Sequence, residues 1–165
     1  MYTQRYEHVN SCHFSPCLCP QRNCSFQANS RALGEHFMIN HPLRIPPFKY
    51  DQVFFTYVNI NDDVTILQEI SDGELFVITC KTQYVFKMLS LYHIGPTRRK
   101  PEYAFEMLVL PHEKNSNGVL QLKSEAVNVD DRTYPSSSSI YVSYGYFKDG
   151  RLSIKVRISK IGVNL

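Results

Sequence analysis

Four of the five cysteines (Cys12, Cys17, Cys19 and Cys24) and four of the six histidines (His8, His13, His36 and His41) lie in the first quarter of this 165-residue chain. A segment so rich in polar and soft side chains holds too few apolar groups to bury a core of its own, so something other than burial must fold it. The odd cysteine count, and an opening Met1-Tyr2-Thr3-Gln4-Arg5 without the apolar centre of a secretory leader, argue against a disulfide framework. Interleaved Cys and His then point to metal.

The strongest pattern is Cys17-Leu18-Cys19-Pro20-Gln21-Arg22-Asn23-Cys24, followed by His36 and His41. Zn2+ takes about four sulfur and nitrogen ligands in a tetrahedron. Two thiolates from a tight turn and two imidazoles from a helix would supply them. Ser30 is expected to cap that helix, with Ala32, Leu33, Glu35, Phe37 and Met38 as its body. Phe26, Leu33 and Phe37 are expected to form a small core beneath the ion. The five-residue step from His36 to His41 is too long for one helical face, which predicts a loosened or 3₁₀ helix end near Asn40. The cysteine pairing with Cys24 has two candidates. Cys19 leaves a gap of four residues, inside the usual finger range, and Cys17 a gap of six. Spacing alone prefers Cys19. Four protein ligands leave no open position, so the zinc is structural. His8 and Cys12 form a second His-x₃-Cys pair, which is two ligands and not a site.

Composition changes near Pro42. His41-Pro42-Leu43-Arg44-Ile45-Pro46-Pro47 reads as an extended connector, because prolines do not continue a helix. The boundary is placed there: residues 1–45 as the metal segment and 46–165 as a second region. That region contains eight strand candidates, at 53–60, 64–70, 74–80, 84–92, 103–110, 119–124, 140–146 and 151–159. In the last, Leu152, Ile154, Val156 and Ile158 alternate with polar residues, the mark of a half-buried strand. Asp72-Gly73, Asn117-Gly118 and Asp149-Gly150 supply the positive φ of tight hairpins. Ile94-Gly95-Pro96 and Tyr134-Pro135 with the serines after it read as loops. Strands recur without long helical patterns between them, so the expected fold is mainly β, an antiparallel sandwich. Cys80, in an apolar run, reads as a buried small hydrophobe.

Several function classes find little support. The formal net charge is only +3, and Arg98-Arg99-Lys100, the one basic cluster, reads as a solvated loop, which argues against nucleic acid as the partner. His93 and His112 are expected in loops without a partnered Ser or Cys, and Asp62-Asp63 and Asp130-Asp131 as turn residues, so an enzyme on the sandwich has no constellation to carry it. No apolar run approaches the ~20 residues of a membrane-spanning helix.

The run His8-x₃-Cys12, Cys17-x-Cys19-Pro20-x₃-Cys24-x-Phe26, Leu33-x₂-His36-x₄-His41 resembles the double zinc finger of the seven-in-absentia (SINA/SIAH) ubiquitin ligases. Val64-Thr65-Ile66-Leu67-Gln68-Glu69, Asp72-Gly73-Glu74-Leu75-Phe76-Val77 and His93-Ile94-Gly95-Pro96 are similar to the SINA-like proteins of plants and occur in family order. The resemblance implies a SINA-type zinc finger followed by a TRAF-like eight-stranded antiparallel β-sandwich. It also implies that the first cysteine of the Cys-x-Cys pair is the ligand, giving Cys17, Cys24, His36 and His41 as the zinc set, with Cys19 as rival.

The resemblance further implies a place in the ubiquitin–proteasome pathway, in the cytoplasm or nucleus, as a module that binds proteins targeted for ubiquitination. Family members carry a RING that recruits the conjugating enzyme. Residues 1–165 contain nothing that reads as one, so no autonomous ligase activity is expected of them. Substrate peptides are expected to add as a strand, with the family's groove mapping onto Val53, Phe55 and Tyr57. Each of those three also has a plain reading as core. Pairing is expected too, as a homodimer or with full-length SINA-like ligases. Tyr141, Tyr144, Tyr146 and Phe147 are candidates for the interface and equally for the sandwich core.

Overall fold

The computed structural model describes residues 12, 15–41, 46–96, 100–112 and 118–162. His8, His13, most of the proline connector, Arg98-Arg99 and Asn117 lie outside the described residues.

The metal segment begins with two paired two-residue strands, β1 (Cys17–Leu18) and β2 (Gln27–Ala28), which lead into helix α1 (Ser30–Asn40). The helix starts one residue earlier than the sequence suggests. Asn29, not Ser30, is the cap, its Oδ1 accepting the Ala32 N–H at 3.0 Å. Leu33 and Phe37, one helical turn apart, are fully buried, while Met38 and Ile39 face outward. Of the loosened or 3₁₀ end expected near Asn40, the 3₁₀ form is not seen. The His41 N–H still donates to the Phe37 carbonyl at 3.0 Å, as in an α-helix, and the chain turns extended at His41 itself (φ −127°, ψ 92°).

All eight strand candidates are strands, with shifted ends: β4 (Phe54–Asn59), β5 (Val64–Glu69), β6 (Leu75–Gln83), β7 (Phe86–Ile94), β8 (Tyr103–Val109), β9 (Leu120–Val129), β10 (Ile140–Ser143) and β11 (Arg151–Lys160). A short strand β3 (Pro47–Phe48) precedes them, and a 3₁₀ turn (Tyr144–Tyr146) follows β10. The strands run in the order β3-β5-β6-β7-β9-β8-β11-β4, with β10 also paired to β7. β9 joins the two faces of the sandwich. Its first part pairs antiparallel with β8 and its end, Val127–Val129, pairs parallel with β7. β3 also pairs parallel with β5. These two short parallel contacts depart from the all-antiparallel expectation. The sheet is thus nearly closed, with its opening between β4 and the edge formed by β3 and β5.

Alternation along the strands divides the interior. Leu67, Phe76, Ile78, Leu91 and Cys80 face the inner core with Val58, Met107, Leu152 and Ile154 from the opposite sheet. Val64, Ile66, Leu75, Val77, Tyr92 and Ile94 face the other way and form a second core with Leu33, Phe37, Cys17 and Cys19. The metal segment is therefore the third layer of a stack, and it covers what would otherwise be an apolar outer sheet face.

His93 is not in a loop. It lies in β7, 4% exposed, with Nε2 2.6 Å from Glu74 Oε2 and Nδ1 3.1 Å from Asn128 Oδ1. A Cβ at Gly95 would come within 2.7 Å of that ring, which explains the glycine of the His-Ile-Gly-Pro motif. Tyr146 is buried and Phe147 packs against the core, whereas Tyr141 and Tyr144 are exposed, so the aromatic group near β10 splits between the two readings offered for it. None of the described helices is long and apolar enough to cross a membrane.

Candidate metal centre and sheet-edge groove

The metal centre is built on a knuckle. Cys19 follows β1, and its N–H donates to the Phe26 carbonyl at 2.8 Å, while the Cys24 N–H donates to Gln21 O at 3.3 Å. The reversal between them needs one left-handed residue, Asn23 at φ 62°. The helix supplies His36 in its last turns, and the extended His41 swings its ring back beside it. Phe26 stacks on the His36 ring at 4.0 Å between centroids, and the Asn40 amide lies 3.1 Å from His36 Nδ1. Both fix the ring so that Nε2 faces inward.

The four ligand atoms of Cys19, Cys24, His36 and His41 all lie within 4.8 Å of one another. Cys24 Sγ is 3.2 Å from His36 Nε2, Cys19 Sγ is 3.5 Å from His41 Nε2, and the two Nε2 atoms are 3.1 Å apart. A zinc ion with Zn–S of about 2.3 Å and Zn–N of about 2.0–2.1 Å sets tetrahedral edges of about 3.6 Å for S···N and about 3.3 Å for N···N. The three contacts of 3.1, 3.2 and 3.5 Å are close to those edges, so the group could hold such an ion.

Cys17, the ligand the resemblance implies, is not among the side chains gathered here. Cys17 sits in the β1 ladder opposite Ala28, two residues short of the knuckle, with Sγ 3.8 Å from Ser15 O and the side chain 1% exposed in the core shared with the sheet. Burial first, and then Asp130 and Glu74, push its thiol up to about 12, so it stays a neutral, core-filling group. Cys24, His36 and His41 are brought together as expected, and Cys19, the spacing candidate, completes the set.

Burial sets the charge state of the site's groups. Burial, together with the neighbouring Cys24 sulfur, pushes the Cys19 thiol up to about 11. Burial and then His41 lower His36, which keeps its imidazole neutral and free to ligate. Two thiolates and two neutral imidazoles around Zn2+ sum to zero charge, which suits a half-buried site.

A second feature lies at the opening of the sheet. β4 ends the strand order and, among the described residues, pairs only with β11. Ser153, opposite Tyr57, turns its carbonyl toward the Leu110 N–H on the β8 side, and the Ile60 N–H donates to Gly150 O. The even residues of β4 therefore bond to β11, and the N–H and C=O groups of Phe55 and Tyr57 point to the open edge. Their side chains, 64% and 61% exposed, are not core, and neither is Val53 at 57%. Beside them a groove of about 630 Å³ runs along the opening, lined by Pro46, Thr56, Val64, Thr65, Ile66 and Arg151 among others.

No family model matches the chain. Two curated plant proteins do. The chain is 30% identical to E3 ubiquitin-protein ligase SINA-like 10 of Arabidopsis thaliana over 94 residues, which is 57% of this chain and 26% of that protein. It is 31% identical to E3 ubiquitin-protein ligase SINA-like 4 of the same plant over 80 residues, 46% of this chain and 24% of that protein. The matched stretch thus spans about a quarter of the length of the curated relatives. A chain with this Cys/His group and this mostly β architecture is related in sequence to the seven-in-absentia family of ubiquitin ligases.

Proposed function

We propose that this chain is a zinc-stabilised recognition module of the ubiquitin pathway, in which Cys19, Cys24, His36 and His41 hold one Zn2+ and the β4 edge takes up an extended segment of a target protein. The observation that carries the reading is the open side of β4. Phe55 and Tyr57 present main-chain groups that no other described residue pairs with, and exposed aromatic rings, at the mouth of the groove. A strand added there gains main-chain hydrogen bonds on one side, and its alternate side chains fall on the rings or into the opening. The relation to SINA-like ligases supports targets of ubiquitination as the class of partner. The same reading sets the module in the cytoplasm or nucleus. The zinc is structural and carries out no chemical step.

Pairing of two copies, or with a full-length SINA-like ligase, belongs to the same reading. The exposed Tyr141 and Tyr144 beside the short β10 are its candidate surface.

The test uses proline. Tyr57→Pro removes an N–H that points to the open edge and the exposed ring beside it, leaving the hydrogen bonds to β11 intact. The zinc-loaded chain is added to a reconstituted ubiquitination reaction driven by a full-length SINA-like ligase. The expected result is altered modification of the ligase's targets by this chain and no such effect from Tyr57→Pro at unchanged melting temperature. Equal effects from both proteins would overturn strand addition at β4.

A further inference from the structure

The strip of surface next to the β4 edge has a definite charge. Lys155 is in register with Phe55, and its Nζ lies 5.0 Å from the Phe55 ring centroid, so the ammonium leans toward the open edge. Arg151, exposed and in register with Asn59, lines the groove. Neither has a carboxylate within ion-pair distance among the described residues, whereas the next cation along β11, Arg157, is engaged by Glu106 at 2.8 Å. Of the acidic groups near the groove, Asp63 is offset by a cation, and Asp62, which lines the groove, is held by an amide. Asp62 accepts from Asn59 Nδ2 at 2.7 Å, and Asp63 pairs with Arg22 at 2.9 Å.

A strand lying against β4 places every second side chain on this outer face, level with Phe55, Tyr57 and the two cations behind them. Resting on the strand-addition reading above, we propose that the β4 edge selects extended segments carrying acidic residues at alternate positions, with Lys155 and Arg151 as the residues that set the preference. Intervening positions turn toward Thr56 and Val64, where small and β-branched side chains fit. A single-stranded nucleic acid would also meet rings and cations here. The unpaired main-chain groups of Phe55 and Tyr57 favour a polypeptide, because only a polypeptide completes the ladder.

The experiment compares two fluorescein-labelled octapeptides by anisotropy on the zinc-loaded chain, Thr-Glu-Val-Glu-Val-Glu-Val-Thr and its counterpart with Lys for each Glu. An eight-thymidine oligonucleotide is the third probe. The acidic peptide is expected to bind about tenfold tighter than the basic one at low salt, and Lys155→Glu with Arg151→Glu should invert the order. Equal binding of the two peptides, or an order unchanged in the double variant, overturns the charge preference while leaving strand addition standing. Binding of neither peptide overturns both. Tighter binding of the oligonucleotide than of either peptide overturns the polypeptide assignment.

Discussion

Leu33→Ala separates a finger that merely precedes the sandwich from one that is built into it. Leu33 is fully buried and shares its core with Leu75, Val77, Tyr92 and Ile94 of the outer sheet face. The substitution removes three carbons at about 0.8 kcal/mol each, and the unfilled space adds to that, giving about 3 kcal/mol, within the ~2–5 kcal/mol usual for such truncations. For a chain of this size, about 2–4 °C per kcal/mol puts the fall in melting temperature at about 6–12 °C. The assay is far-UV circular dichroism of the zinc-loaded protein, whose signal here is dominated by the sheet, run beside the temperature of zinc release. Both should fall together, because the third layer and the sheet share one core. A β transition that stays at the wild-type temperature while zinc leaves earlier would show that the finger unfolds alone, and would refute the shared-core argument.

Other expectations follow from particular residues. Zinc affinity should rise with pH. Cys19, pushed up to about 11, must lose its proton on binding, so it alone contributes about a tenfold gain in apparent affinity per pH unit below that value, measurable by competition with a chelator between pH 6 and 8. A pH-independent affinity would contradict a buried thiol ligand. Gly95→Ala should cost about 1–3 kcal/mol in denaturant unfolding, because the new Cβ meets a His93 ring that Glu74 and Asn128 hold in place. Phe55→Ser should change stability by less than about 0.5 kcal/mol, because the ring is 64% exposed, and a larger loss would place that ring in the core after all. Light scattering at high micromolar concentration should show a dimer that Tyr141→Lys with Tyr144→Lys converts to monomer, and a strict monomer would remove pairing from the reading.

Much of this architecture was legible because short-range chemistry and long-range packing agree. The alternation Leu152, Ile154, Val156, Ile158 marks β11, and all four side chains are buried. Asp149-Gly150 sits at positive φ in both residues, as its hairpin requires. The β6–β7 turn was not legible in the same way. Its left-handed residue is Tyr84 at φ 54°, a type that rarely adopts it, so the gap between the 74–80 and 84–92 candidates falls on Lys81–Gln83, which are strand. The parallel contact of β7 with β9 leaves no local signal, because it joins residues more than thirty positions apart.

The metal set was legible down to one ambiguity. The four-residue gap pointed to Cys19, and the resemblance pointed to Cys17. The knuckle favours Cys19, because Asn23 turns the chain between that residue and Cys24, while the ladder leaves Cys17 facing the sheet. The exposure of Phe55 and Tyr57 could not be read from composition. Aromatics at alternate positions look the same on either face of a strand, and only the partner on the far side tells which face is buried.

The proposed module rests on one zinc ion held by Cys19, Cys24, His36 and His41. Elemental analysis of chelator-free, folded protein tests it directly when run on the wild type, Cys19→Ser and Cys17→Ser together. One zinc per chain in the wild type and in Cys17→Ser, with loss of the ion from Cys19→Ser, is the predicted result. Zinc retained by Cys19→Ser and lost from Cys17→Ser, or absent from well-folded wild type, would contradict it.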